Sequence, residues 1–236
     1  MQKKVEFVDL ELLSRCGLLN GLSREALAGI LSSGSRKRVE AKEVVFNRGD
    51  PGSDIYFLLS GGVKISTLSR EGKEIIFDVL VEGDFFGDMS LFDDKPRTGT
   101  VTALVPSAFL VLGKARFLEL LEKYPGVSIR LIKTLTARLR LMDTFLEDVL
   151  FLDAEARLAK RVVALSRIFG QEGKNGEVRI DLKMSQQEMA NLVGIARESV
   201  NKHFKGWEKS GVIGLDKGCL ILQQPQLLES MVARLS

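Results

Sequence analysis

Residues 83–100, GDFFGDMSLFDDKPRTGT, bring together side chains that could do chemistry. Gly87 permits a tight turn, Asp88 offers a carboxylate, and Pro96 leads Arg97 into the hydroxyl residues Thr98 and Thr100. A guanidinium is a planar fork of donors that suits a compact anion, and backbone N–H groups at a turn extend such a site. Arg97 supplies the fork, Thr98 a hydroxyl and an N–H, and Gly87 a backbone that can come close. Asp88 can accept from a ligand hydroxyl. Phe85, Phe86 and Leu91 would keep water away and so strengthen each polar contact. Taken alone, the same residues also describe a turn closed by a surface ion pair, and both readings stand.

A second cluster lies at 184–213, MSQQEMANLVGIARESVNKHFKGWEKSGVI. Ser185, with Glu188 three residues on, is a capping-box pattern that starts a helix. Ala190, Leu192 and Val193 give it an apolar face, and Gly194 sits where a sharp turn must end it. A second helix is predicted from about Arg197, with Val200, Phe204 and Trp207 facing inward. Helix, glycine turn, helix is the plan of a DNA reader whose second helix enters the major groove. Its outward residues are Arg197, Glu198, Ser199 and Lys202. Arginine can bond guanine O6 and N7, and glutamate can accept from cytosine N4. VIGLDKGCLIL then reads as a hairpin with a DKG turn, the wing of a winged helix. Lys205 and Lys209 are solvated or touch phosphates, and His203 is expected at the surface or on the phosphate side.

The elements that must position these clusters follow from patterning. Residues 9–33 read as short helical stretches, with Ser23 as a cap. From Val39 to Leu112, six to eight short β-rich runs alternate with glycine turns, suggesting an antiparallel barrel or jelly roll. ARFLELLEKYP is a short helix stopped at Pro125. Beyond it, Ile132, Leu135, Leu139, Met142, Leu146 and Val149 recur at spacings of 3 and 4, a coiled-coil seam that wants an equivalent helix opposite it. Leu152-Asp153 is a plausible hinge, followed by a small module: the amphipathic helix RLAKRVVALSRIF, a polar loop QEGKNGE, a strand VRIDL and the helical pair. The predicted domains are therefore residues 1–125, 126–152 and 153–236.

Composition narrows the function. The 236 residues include one histidine and two cysteines, Cys16 and Cys219, with no CxxC. So few imidazoles speak against multi-histidine metal sites and nucleophile–base pairs, and the thiols read as unpaired in a reducing compartment. MQKKVEFVDLELL has neither the apolar core nor the cleavage site of a signal peptide, and no apolar run approaches the ~20 residues of a membrane span. A cytoplasmic protein without membrane contact is expected. The net charge is +3; residues 1–150 hold 21 basic and 21 acidic side chains and residues 151–236 hold 13 and 10, so the excess lies with the candidate DNA reader.

Barrel, seam helix and QQEMANLVGIARESVNK, in that order, resemble the cyclic AMP receptor protein/FNR family of bacterial transcription regulators over almost the whole chain. The resemblance implies an α+β protein: an N-terminal cyclic-nucleotide-binding β-roll (jelly roll), a long dimerisation helix, and a C-terminal winged helix-turn-helix. It implies regulation rather than catalysis and no cofactor. Double-stranded DNA, a cyclic nucleotide effector, a second copy of the chain and RNA polymerase are the implied partners. Arg197, Glu198, Ser199 and Lys202 match the family's recognition helix, with Ser185 and Gln186 on the preceding helix also toward DNA, and half-sites like TGTGA in an inverted repeat are implied. Ala196 stands where relatives often have a capping serine, a loss worth ~1 kcal/mol. Lys202 in place of arginine keeps the charge and loses the fork.

In the same family the stretch 85–98 is similar to the phosphate-binding cassette. Gly87, Asp88, Met89, Ser90, Arg97 and Thr98 fall on its matching positions, and Arg138 matches an arginine that pairs with the cassette acid. The anion is then a cyclised phosphate, and Asp88 faces the ribose 2′-hydroxyl, one methylene shorter than the usual glutamate. The family's adenine-contacting pair falls on Met142 and Asp143. Methionine lacks the hydroxyl, and a carboxylate at 143 suits the two donors of guanine better than adenine. The effector is expected to be cyclic AMP, or a guanine nucleotide such as cyclic GMP or cyclic di-GMP. The alternative is that Asp143 is a solvated flank of the seam. Iron–sulfur sensing lacks its N-terminal cysteine cluster, and haem sensing lacks a histidine in barrel or seam. The remaining alternatives are a relative that binds DNA without ligand and, remotely, a cupin-like barrel enzyme, whose histidines the barrel lacks.

Overall fold

Strand β3 (Asp54–Ser60) shows how the N-terminal fold is organised. Its residues alternate between two cores: Ile55, Phe57 and Leu59 pack with the helices, whereas Tyr56 and Leu58 face the interior of a roll. A strand covered on both faces must be apolar at nearly every position, and DIYFLLS is. β8 (Ser107–Gly113) divides in the same way, Leu110 and Leu112 to one core and Phe109 to the other. β1 (Ser35–Val39) and β6 (Phe85–Phe86) complete that sheet in the order β1-β8-β3-β6. A second sheet is ordered β2-β7-β4-β5, from β2 (Val44–Phe46), β7 (Thr100–Ala103), β4 (Gly62–Leu68) and β5 (Glu74–Val81). Every strand pair registered between these eight strands is antiparallel.

The computed structural model describes residues 10–173, 176–216 and 218–233. The signal-peptide reading of the first residues, part of the QEGKNGE loop and Lys217 of the DKG turn lie outside the described residues. Two compact units result: residues up to Ser69 with Phe77–Leu139, and Arg70–Ile76 with the residues from Arg140 on.

In the first unit, α1 (Arg24–Ser33) begins at Ser23, whose side chain accepts from the Ala26 N–H. The short α2 (Met89–Asp93) follows β6, and α3 (Lys114–Lys123) follows β8. Pro125 does more than stop α3: it is the first residue of α4 (Pro125–Phe151), where its fixed φ and missing N–H cost nothing. Val127 and Leu131, early in α4, are buried in the helix-side core. The seam residues Ile132, Leu135, Leu139, Met142, Leu146 and Val149 are exposed in the single chain, Leu139 at 62%.

In the second unit, α5 (Ala154–Phe169) starts at Asp153, which caps it by accepting from the Ala156 N–H at 2.9 Å. Its apolar face, Leu158, Val162 and Leu165 among others, is buried. α6 (Gln186–Val193), α7 (Arg197–Lys209) and α8 (Pro225–Ala233) join it. A sheet ordered β11-β12-β10-β9 completes the unit, from β9 (Gly170–Glu172), β10 (Val178–Ile180), β11 (Ile213–Asp216) and β12 (Cys219–Leu222). β9 corrects the sequence reading, which gave residues 171–177 to a loop: GQE is a strand because β10 offers it a partner edge, Val178 opposite Glu172. Among the described residues no helix is long and apolar enough to cross a membrane.

Candidate functional site

Arg97 is held by its backbone before its side chain is considered. Its N–H donates to the Asp50 carbonyl and its own carbonyl accepts from the Gly49 N–H, both at 2.9 Å, so the GDPG turn brackets it. The guanidinium turns inward and is only 5% exposed. Nη1 donates to the Gly87 carbonyl at 2.7 Å and Nη2 to the Asp54 carbonyl at 2.8 Å. The cation lies 4.4 Å from the centre of the Phe46 ring and 5.8 Å from that of Tyr56. Burial pushes its pKa below the ordinary value, while Tyr56, Asp54, Asp88 and Asp50 pull it back. No carboxylate lies within ion-pair distance of it among the described residues, and its Nε is buried without a partner. The surface ion pair that residues 83–100 also allowed is therefore not what Arg97 makes.

The cassette turns at Gly87, whose φ of +86° suits glycine. A Cβ there would sit 2.8 Å from both Arg97 Nη1 and the Asp54 carbonyl oxygen. Gly52 is as constrained: a Cβ would meet Ser90 Cβ at 2.6 Å and Arg97 Nε at 2.8 Å. Asp88, 3% exposed, pairs with Arg138 through Oδ1 at 3.2 Å, and its Oδ2 is buried with no partner. Arg138 also donates to the Phe85 carbonyl and lies over the Phe85 ring at 4.7 Å. Ser90 is buried, Met89 is exposed, and the exposed Thr98 donates its hydroxyl to Met89 Sδ at 3.6 Å. Gly87, Asp88, Met89, Ser90, Arg97, Thr98 and Arg138 are thus gathered in one unit. Met142 and Asp143 lie exposed further along α4, in the segment that belongs to the second unit.

Sequence reasoning missed the floor of this site. Phe46 and Tyr56 come from different sheets and meet at 5.6 Å between ring centres, with Tyr56 stacked on Phe86 at 5.0 Å. Only the run of glycines in NRGDPGSD hinted that the backbone at 49–52 approaches something closely.

In the second unit the capping box is complete: Ser185 Oγ accepts from the Glu188 N–H, and Glu188 Oε2 accepts from the Ser185 N–H. Gly194 ends α6 at φ +72°, and its N–H returns to the Ala190 carbonyl. α7 starts at Ala196 with no side-chain cap. Val200, Phe204 and Trp207 are buried beneath it, which turns Arg197, Glu198 and Lys202 outward and leaves Ser199 half-buried. Ser185 is exposed and Gln186 half-buried at the start of α6. Lys205 and Lys209 are exposed. His203 departs from expectation. It is turned to the protein, its Nδ1 3.7 Å from Glu155 Oε2.

Two family profiles match the chain: "Cyclic nucleotide-binding domain" over residues 36–124 and "Crp-like helix-turn-helix domain" over residues 156–231. The chain is 31% identical to a CRP-like cAMP-activated global transcriptional regulator of Mycobacterium tuberculosis, covering 92% of this chain and 97% of the relative. It is 29% identical to the cyclic AMP receptor protein of Thermus thermophilus over 91% of this chain and 95% of the relative. Among solved structures, the c-di-GMP-responsive global regulator CLP of Xanthomonas campestris superposes with a TM-score of 0.73 at 22% identity, over 85% of this chain and 99% of that one. At that identity the likeness concerns the fold.

Proposed function

The chain belongs to the cyclic AMP receptor protein/FNR family, as a cyclic-nucleotide-binding transcription regulator, and on that premise we propose that it works as a homodimer whose DNA binding is gated by a nucleotide seated on Arg97 and Asp88. The observation that carries this reading is the pair of buried, unpartnered polar atoms flanking Gly87, Arg97 Nε and Asp88 Oδ2. Buried polar groups are nearly always satisfied. A cyclic phosphate would take the guanidinium and the Thr98 hydroxyl, and a ribose hydroxyl would donate to Asp88. Gly87 and Ser90 line the approach.

Dimerisation is supported by the apolar line from Ile132 to Val149, exposed in the single chain and spaced for a facing helix. Paired α7 helices about 34 Å apart would enter successive major grooves, with Arg197, Glu198, Ser199 and Lys202 at the bases of TGTGA-like inverted repeats. Ser185 and Gln186 would meet the backbone, and RNA polymerase is the partner such binding would serve. The division into residues 1–125, 126–152 and 153–236 assigns sensing, dimerisation and DNA reading.

The base is the finer question. Two relatives are named for cyclic AMP. Here Met142 has no hydroxyl, and the exposed Asp143 offers acceptors that suit N1–H and N2–H₂ of guanine. Calorimetry with cyclic AMP, cyclic GMP and cyclic di-GMP, and gel shifts on a TGTGA palindrome with each, test the whole reading. A preference for cyclic AMP unchanged by Asp143→Ala removes guanine. DNA binding indifferent to every nucleotide removes gating.

A further inference from the structure

The chain has one tryptophan and one histidine, and both lie on α7, four residues apart. Four residues is one helical turn, so Trp207 and His203 share a face. Both meet the same carboxylate. Trp207 Nε1 donates to Glu155 Oε1 at 2.9 Å, and His203 Nδ1 lies 3.7 Å from Glu155 Oε2. Trp207 is 3% exposed, so its indole N–H has little access to water and depends on this acceptor. Glu155 stands in the first turn of α5, two residues after the cap Asp153, where the helix dipole also favours a carboxylate.

The other side of α5 is tied as well. Lys160 Nζ donates to Asp148 Oδ1 at 2.6 Å, with Asp148 in the last turn of α4. Arg161 lies over the Phe145 ring at 6.0 Å. Between α4 and α5 the helical run is interrupted only at residues 152–153. α5 is therefore held to the end of the seam helix by one set of contacts and to the recognition helix by Glu155.

The geometry points to Glu155 as a positioning residue that imposes any rotation of α5 at residues 152–153 on α7. Without the bond, α7 keeps its apolar underside of Val200, Phe204 and Trp207, which is non-directional and tolerates small rotations. With it, α7 is fixed to α5 at Trp207, His203 one turn earlier lies beside the same carboxylate, and the azimuth of Arg197 and Lys202 follows the hinge. The gating part of this inference rests on the proposed function. The positioning of α7 does not.

The test uses the full-length chain with Glu155→Ala, Glu155→Gln and Trp207→Phe. Glutamine keeps an acceptor for the indole N–H, so it should rescue what alanine loses. Trp207 is the sole tryptophan, so its emission reports the contact directly. In Glu155→Ala the emission should move, and in Glu155→Gln it should stay near that of the wild type. On a duplex carrying inverted TGTGA half-sites, with saturating cyclic AMP or cyclic GMP, Glu155→Ala should bind about tenfold more weakly, with Glu155→Gln within about threefold of wild type. Nucleotide affinity measured without DNA should change less than about twofold in either variant, since Glu155 is not among the residues proposed to hold the nucleotide and makes its bond to Trp207 within the second unit. Adding Trp207→Phe to Glu155→Ala should cost little further, because donor and acceptor are then both gone. Wild-type DNA binding and nucleotide dependence in Glu155→Ala would overturn the inference. So would equal losses in the alanine and glutamine variants with Trp207 emission unmoved. If cyclic AMP, cyclic GMP and cyclic di-GMP all fail to bind the wild type, gating has failed by itself, and Glu155 is judged on nucleotide-free DNA binding, where the same tenfold loss and rescue are expected.

Discussion

Arg97→Gln separates what the guanidinium does for the fold from what it does for a ligand. In the structure it makes two bonds to carbonyls, at 2.7 and 2.8 Å. Bonds from a charged donor contribute about 1.5–3 kcal/mol each. Against them stands the removal of a charge from water, an effective penalty of several kcal/mol that the carboxylates of Asp54, Asp88 and Asp50 offset only in part. The two nearly cancel, so the variant's unliganded stability should lie within about 2 kcal/mol of wild type. Ligand binding is another matter. Losing one partner of a buried charge pair costs about 2–5 kcal/mol, and a value near 3 weakens binding about a hundredfold. At a nucleotide concentration of about 100 times the wild-type Kd, the ligand stabilises wild type by about 2.7 kcal/mol, whereas the variant, then near its own Kd, gains about 0.4. At roughly 2–4 °C per kcal/mol, the Tm should rise by about 5–11 °C in wild type and by about 1 °C in the variant. Circular dichroism melts with and without the nucleotide that gives heat in calorimetry read both quantities. A variant that keeps the full ligand-induced rise would refute the phosphate role. A loss of much more than about 3 kcal/mol without nucleotide would show that Arg97 is a structural tie.

Ala196→Ser supplies the cap that α7 lacks, and since Ala196 already has the extended geometry of a cap, at ψ 146°, the module should gain up to about 1 kcal/mol; an unchanged melting transition would mean the turn satisfies those N–H groups by other means. Leu139→Asp changes a side chain that is 62% exposed in the single chain, so monomer stability should stay within about 0.5 kcal/mol while sedimentation shifts from dimer to monomer. An unshifted dimer would sink the seam as the interface. Cys16 is buried, and burial pushes its thiol from 9.0 up to about 11. The folded state thus holds a proton that the unfolded state releases first. The resulting stability is full below about pH 9 and lost as pH rises toward 11, and the alkaline fall in Tm should shrink in Cys16→Ala. Native protein should also react negligibly with a disulfide reagent near neutral pH, because Cys219 is buried too.

How much of this was legible depended on the range of the interaction. The capping box at Ser185 and Glu188, the turn at Gly194 and the buried triplet Val200, Phe204 and Trp207 are all set by residues within a few positions of one another, and periodicity reveals such features. β3 and β8 were legible as apolar runs, and their two-faced burial explains why they lack polar alternation. β9 was not legible, since Gly170, Gln171 and Glu172 carry no apolar signal and are a strand only because β10 lies beside them. The cassette was half legible. Gly87, Asp88 and Arg97 lie within eleven residues, but the aromatic floor under the guanidinium is built by Phe46 and Tyr56 from two different sheets. Glu155, His203 and Trp207 mark the limit of sequence reading most clearly. A glutamate in the first turn of a helix looks like a dipole partner, and a lone histidine on an amphipathic helix looks like a surface residue. Only the packing of α5 against α7 turns Glu155 into an acceptor for a buried indole N–H 52 positions away. Such a bond leaves no periodic trace, yet it ties α7 to α5 at a defined point.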